Sequence, residues 1–370
     1  MRTEIKKKIK VGLLVAVVIP IFLILLFECI KGQRDVVDYW VVEILAPAAQ
    51  YSSRIWAVLP VSGMELWIGA ILLWGCFWIV RAILMLWKEK KVELFFRRVM
   101  VLVAVGLWIW CGVCWLWNVA YHASTFAEKS DLAVRTYSVE ELKQVTAYFA
   151  KTAGELSDKV ARDEEGHFLR NTQAHLEQGL TIYETIEDEF LFLQAKSVKA
   201  KPILFSRLQS IMGFTGMYFP FTGEANVNID APAILFPATV AHEMAHQRMV
   251  ASELEANFVG VAACLSSNSI TYRYSGAVSG LIHLCNALYP LDPDGWYEIA
   301  ARYFTTELAV DWNDNNVYWQ ELESPVEQAA EQAYDSFLKG NGQELGMRSY
   351  GACVDLLVTY YLDEAIDMDK

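Results

Sequence analysis

Three stretches near the N-terminus, Val11 to Ile30, Leu66 to Trp87 and Val99 to Tyr121, carry only Glu28 and Arg81 as charged residues between them. Each is long enough to cross the hydrocarbon of a bilayer, which takes about 20 apolar residues in a helix. A chain that opens this way is not an ordinary soluble globule, and a 54% hydrophobic composition with 13 Trp agrees. The first stretch follows the basic "MRTEIKKKIK" but exceeds the apolar length of a secretory signal, and no small-x-small cleavage site follows it directly. We therefore read it as an uncleaved anchor. Arg81 sits near the end of the second stretch, where it can snorkel towards the headgroups beside Lys88.

Charge is distributed unevenly. Residues 1–122 carry 14 Lys/Arg against 8 Asp/Glu, whereas the remainder carries 17 against 36. Five basic residues precede the first span, and five more (Lys88, Lys90, Lys91, Arg97 and Arg98) follow the second. The positive-inside tendency then predicts a cytoplasmic N-terminus and an acidic domain, residues 123–370, outside the membrane. Trp108, Trp110, Trp115 and Trp117 suit either an interfacial belt or packing within a helix bundle. The connector Val36 to Leu59 is apolar enough to lie along the membrane surface or to cap a cleft. The acidic balance argues against nucleic acid as a partner and leaves at most a weak preference for basic peptides. Four of seven Cys fall in the spans, so at most one disulfide is possible among Cys264, Cys285 and Cys353.

Beyond the spans the pattern is mostly helical. Ser138 and Glu141 form a capping box ahead of a helical periodicity to Arg162, and Gln173 to Ala195 reads as a second helix. Gly, Pro and aromatic residues from Lys201 to Asp230 suggest strands and turns, and helical patterns resume near Pro232. Within "PATVAHEMAHQRM", His242, Glu243 and His246 form an H-E-x-x-H motif. On a helix, positions i and i+4 share a face, so the two imidazoles can hold one metal ion, with Glu243 placed to take a proton from water. Zinc needs a third protein ligand, and "SELEANF" supplies Glu253 and Glu255. Ser252 and Glu255 match a second capping box, which leaves Glu253 free, so Glu253 is favoured as ligand with Glu255 the alternative. Asn257, one turn after Glu253, can orient a ligand from behind or serve in helix packing. His122, His167 and His175 have no partner at ligand spacing.

"AHEMAHQ" followed by "ELEANF" resembles the gluzincin peptidases, whose H-E-x-x-H helix is followed by a helix bearing a ligand Glu. Together "PFTGEANVN", "HEMAHQ", "SELEANF" and "SYGACVDLLVTYYL" are similar to an uncharacterised bacterial family of membrane-anchored zinc peptidases known only as a domain of unknown function. That resemblance covers the three spans and nearly all of the rest. It implies three transmembrane helices plus a mainly helical, α+β, zincin-like metallopeptidase domain with Zn2+ as cofactor, and it brings no substrate. The short gap from His246 to Glu253, and Asn257 where many relatives have Asp, leave the choice of Glu253 or Glu255 open.

The expected reaction is metal-assisted hydrolysis of a peptide or protein substrate, with Glu243 as base and proton carrier. Tyr350 in "RSYG", with Arg348 nearby, is the first candidate for an oxyanion donor and His283 the second. Each also suits a plain packing role. "FPFTGEANVN" is by resemblance an edge strand for substrate, with Glu224, Asn226 and Asn228 alternating along a polar cleft wall; an ordinary core strand with a turn at Gly223 is the other reading. A catalytically silent membrane-anchored sensor on the same fold is the alternative function, against which the intact Glu243 argues. Proteolysis inside the bilayer is disfavoured, because "AILFPATVA" is too short to span and charges follow closely.

Overall fold

Each of the three apolar windows lies in a long helix: Arg2–Ile30, Gly63–Trp87, and Val92–Leu116, which runs on through a 3-10 turn at Asn118–His122. All three are long and apolar enough to cross a membrane. The computed structural model describes residues 2–87, 92–343 and 350–368, and the side chains among them except those of residues 2–10 and 350–352. Lys88, Lys90 and Lys91, which contribute to the charge asymmetry, lie outside the described residues. The chain divides into two units, Met1–Leu45 with Gly63–Ala123 and Ala46–Ser62 with Ser124–Lys370.

In the first unit the third long helix packs against both others. Trp115 belongs to this packing: its indole N–H donates to the Leu23 carbonyl at 3.0 Å, and its own carbonyl accepts from the Trp40 indole at 3.2 Å. Trp108 and Trp110 are exposed on the same helix. The connector after the first helix is itself helical from Arg34 to Trp56, with π pitch at Trp40–Leu45. The wider turn comes just before Pro47, whose ring would otherwise collide with the Glu43 carbonyl of a regular helix. The division between units falls at the end of this turn, so that Ala46–Ser62 belongs with the C-terminal unit.

The C-terminal unit holds one three-stranded sheet, β1 (Lys201–Ile203), β2 (Gly216–Phe219) and β3 (Glu224–Asn228), in the order β1-β3-β2. β3 runs parallel to β1 and antiparallel to β2. Glu224–Asn228 is thus the central strand, buried at all five positions, and not an edge open to substrate. Ala225 and Val227 enter the core, while Glu224, Asn226 and Asn228 share the opposite face as their alternation requires. That face is covered, which corrects their reading as a cleft wall. Lys201 pairs with Glu224 at 2.6 Å, Ser62 donates to Asn226 Oδ1 at 2.7 Å, and Asn228 donates to Ser210 Oγ and the Phe214 carbonyl, both at 2.8 Å. The edge nearest the motif residues is β2.

Around the sheet the helices carry the core. Val139–Ser157, opened by the Ser138–Glu141 capping box, packs its apolar face on Ile270–Leu288 and on Tyr350–Met368. Phe149, Leu142 and Val145 are fully buried there. The expected single helix over Gln173 to Ala195 is instead broken into short turns, beginning with Thr172–Gln178 and a 3-10 turn at Gly179. A Cβ on Gly179 would come within 2.9 Å of the Tyr272 hydroxyl, so tertiary packing takes precedence over the local pattern.

Candidate metal centre

Phe236–His246, here the motif helix, starts with Pro237 in its first turn and is buried at every position except His242. Its C-terminus is held by Arg248, whose guanidinium bonds the Met244 carbonyl at 3.1 Å, Glu187 at 2.6 Å and Ser197 at 3.0 Å while lying over the Tyr183 ring. The helix then ends in a reversal at Met249, which takes a left-handed conformation with φ +62. This turn brings the Val250 carbonyl back to His246 Nδ1 at 2.6 Å. A carbonyl only accepts, so Nδ1 carries a proton, and Nε2 is the ring atom turned towards Glu253.

The same reversal sends the following helix, Glu253–Ser266, back along the motif helix. Close approach needs Gly260, since a Cβ there would lie 3.0 Å from the His242 backbone nitrogen. Glu253, at the first turn, then meets both imidazoles: Oε2 is 3.1 Å from His242 Nε2 and Oε1 is 3.6 Å from His246 Nε2. Ligand atoms of His242, His246 and Glu253 all lie within 4.8 Å of one another. Two imidazoles and a carboxylate this close together could hold one metal ion. His242 Nδ1 and Glu243 Oε2, both buried, have no hydrogen-bond partner among the described residues.

Glu255 is placed elsewhere. The Phe126 N–H donates to its carboxylate at 2.7 Å and the Ala127 N–H at 3.3 Å, so it caps the short helix Phe126–Ser130. The expected box with Ser252 does not form, because Ser252 makes no side-chain cap. Asn257 is half-buried and bonds none of the three candidate ligands.

Glu243 leaves the motif helix towards β2. A Cβ on Gly216 would come 2.4 Å from its Oε1, so this strand position accepts only glycine while the carboxylate stays in place. The Tyr218 backbone N–H donates to Glu243 from the same strand. Burial pushes the Glu243 carboxyl up to about 7, with His242 and His246 pulling the other way. At His246 burial acts downward, but the Glu253 carboxylate outweighs it and the imidazole rises to about 9. Glu253 is drawn well below the usual carboxylate range by the same imidazoles, against its own burial.

His283 lies near His242 on the helix Ile270–Leu288, and burial together with His242 lowers it to about 4. Tyr350 opens the C-terminal helix, but its side chain lies outside the described residues, as does Arg348. The residue that sequence reasoning missed is Tyr334, on the helix Pro325–Gly340, whose hydroxyl donates to Glu253 Oε1. Its ring stacks on Phe337 and meets the edge of Phe214. Its 81-residue separation from Glu253 left no local signal.

The model of a family described as a protein of unknown function (DUF3810) matches residues 41–358. That is most of the chain, which therefore belongs to this family. No curated protein and no solved structure matches it.

Proposed function

We propose that this DUF3810 member is a membrane-anchored zinc peptidase, with a cytoplasmic N-terminus and its C-terminal unit outside the membrane. The observation that carries the reading is the convergence of His242, His246 and Glu253 within 4.8 Å, with a buried glutamate from the same motif beside them. The family is one of unknown function, and this geometry is what supports the reading. Three crossings also place the connector Ala46–Ser62 on the same side as the C-terminal unit in either orientation, which agrees with their common fold.

Zinc held there would polarise a scissile carbonyl and acidify a water molecule. The protein's own residues supply the rest. The Val250 carbonyl fixes the His246 tautomer, and Tyr334 orients Glu253. Glu243, buried beside the two imidazoles and with no partner for Oε2 among the described residues, is placed to accept a proton and pass it to a leaving amine. Gly216 and Tyr218, whose backbone lies beside Glu243, belong to the edge strand β2 and suit pairing with an extended peptide. A silent sensor would need no such base, which disfavours that reading.

Elemental analysis of the purified full chain, beside His246→Ala, tests the proposal. About one zinc per chain in the wild type and none in the variant supports it. Folded wild type that takes up no zinc when supplied with it would remove the hydrolase reading.

A further inference from the structure

The helix Ala46–Trp56 and the turn to Ser62 have two dissimilar faces. The inner face holds Ala49 and Ser53, both buried against Gly223. Gly223, at φ +71, leaves no room for a Cβ, which would meet the Ala49 carbonyl oxygen at 2.4 Å. Lys201 at the start of β1 donates to the carbonyls of Trp56 at 2.6 Å and Val61 at 3.0 Å. Ser62 bonds Asn226, whose amide in turn donates to the Met217 carbonyl of β2 at 3.2 Å. The Gly223 carbonyl accepts from Gln247, the residue after ligand His246, at 3.2 Å. The connector is therefore bonded into the sheet and lies two residue contacts from the candidate metal centre.

The outer face is apolar and open. Tyr51 is 68% exposed, Ile55 55% and Val58 84%, with Leu59 and Arg54 beside them. Tyr51 and Ile55 are one turn apart and opposite the docked face. Open aliphatic and aromatic groups with a basic neighbour are the makings of a surface that lies in the headgroup region of a bilayer. What covers this face follows from chain continuity. Gly63 begins a helix long and apolar enough to span a membrane, and Leu59 is four residues before it, within about 14 Å at full extension.

We infer that the outer face of residues 51–59 rests in the membrane interface and holds the candidate centre there, so that its substrate is the membrane-proximal segment of a membrane-anchored polypeptide. The substrate part rests on the peptidase reading. The sheet is three strands wide, so β2 and Glu243 lie about 10 Å across from β1, where Lys201 grips the connector. A peptide reaching β2 from the bilayer therefore crosses only a few extended residues.

The test uses the full chain in lipid nanodiscs with two independent readouts. A photo-crosslinking benzoylphenylalanine at Val58 is expected to form lipid adducts, and one at exposed Leu291 is not. In parallel, a quenched peptide library on a dioleoyl anchor is presented directly at the bilayer or beyond a flexible spacer of about 40 residues, whose root-mean-square span is roughly 35 Å. At least about tenfold faster cleavage of the direct form is expected, a difference of about 1.4 kcal/mol. Ile55→Glu with Val58→Glu should abolish that preference and leave cleavage of unanchored peptide unchanged. Absence of adducts at Val58, or equal cleavage of the two anchored forms, overturns the inference. Adducts without cleavage of any peptide would remove the peptidase reading and the substrate class with it, and leave the membrane-resting face standing.

Discussion

Two buried polar clusters in the C-terminal unit differ in how completely they are closed. Around Asp311, every partner is in place: Arg162 bonds it through both terminal nitrogens at 3.1 and 2.8 Å, the Tyr274 hydroxyl donates at 2.5 Å, and the Phe168 N–H donates at 3.1 Å. Arg162 spends its remaining hydrogens on the carbonyls of Ser157 and Gly166. Around Glu253, two imidazole nitrogens and a carboxylate point at one another, while Glu243 Oε2 and His242 Nδ1 have no partner among the described residues. A closed network fixes a fold, because removing one member strands a charge. On the proposed reading, the second cluster is open because it is completed by a metal ion and a substrate.

The largest effects should separate the two. Asp311→Ala is expected to cost about 3–5 kcal/mol and to lower the melting temperature or the folded yield, without changing zinc per folded chain. Glu253→Ala is expected to do the reverse, abolishing stoichiometric zinc with a smaller change in melting temperature. Zinc retained in the Glu253 variant would move the third ligand elsewhere, and the bonds from Phe126 and Ala127 make Glu255 a poor substitute.

Within the open cluster the two kinds of residue should also separate. Glu243→Gln keeps the shape of a group that ligates nothing, so zinc content should hold while turnover of library peptides falls about 10²–10⁴-fold. Parallel loss of metal would show that Glu243 holds the site together rather than acting on substrate. Tyr334→Phe preserves the ring contacts with Phe214 and Phe337 and deletes the bond to Glu253. Zinc affinity measured by chelator competition should weaken about 10–100-fold. An unchanged affinity would reduce Tyr334 to a packing residue.

Much of this contrast was legible in the sequence. The i, i+4 spacing of His242 and His246 places both rings on one helix face, and Glu253 lies beside them, whereas the capping box expected between Ser252 and Glu255 does not form and Glu255 instead accepts from Phe126. The three long apolar helices were legible because bilayer thickness sets a length that few other structures need. Less legible was anything decided by distant contacts. The alternation of Glu224, Asn226 and Asn228 was visible, but whether that face meets a cleft or protein depends on Ser62, Lys201 and Ser210, far away in the chain. The connector could be read as membrane-lying or as a cover because it is mostly apolar, and only the fit of Ala49 against Gly223 shows which face docks. Tyr334 was hidden for the same reason.

The smallest expected effect tests whether an unpaired buried atom is enough to mark a site. His175 Nδ1 also lacks a partner among the described residues, but the ring lies between Phe168 and Phe236 and no other ligand group converges on it. Burial, helped by Arg170, lowers its pKa to about 4. The unfolded chain, with an ordinary histidine near 6.5, then binds more protons than the folded one as pH falls between these values. Stability is full above about pH 6.5 and declines towards pH 4, by about 2 kcal/mol at pH 4.5. His175→Phe should remove this part of the acid sensitivity, read as a smaller drop in the urea midpoint from pH 7 to 4.5 than in the wild type, with zinc content unchanged. If the variant instead lost zinc, an unpaired nitrogen without convergent neighbours would be contributing to function, and the distinction between open and closed clusters would have to be redrawn. If both proteins lost stability in parallel, the acid response would belong to other groups, and the unpaired Nδ1 of His175 would be a cost the fold carries at every pH.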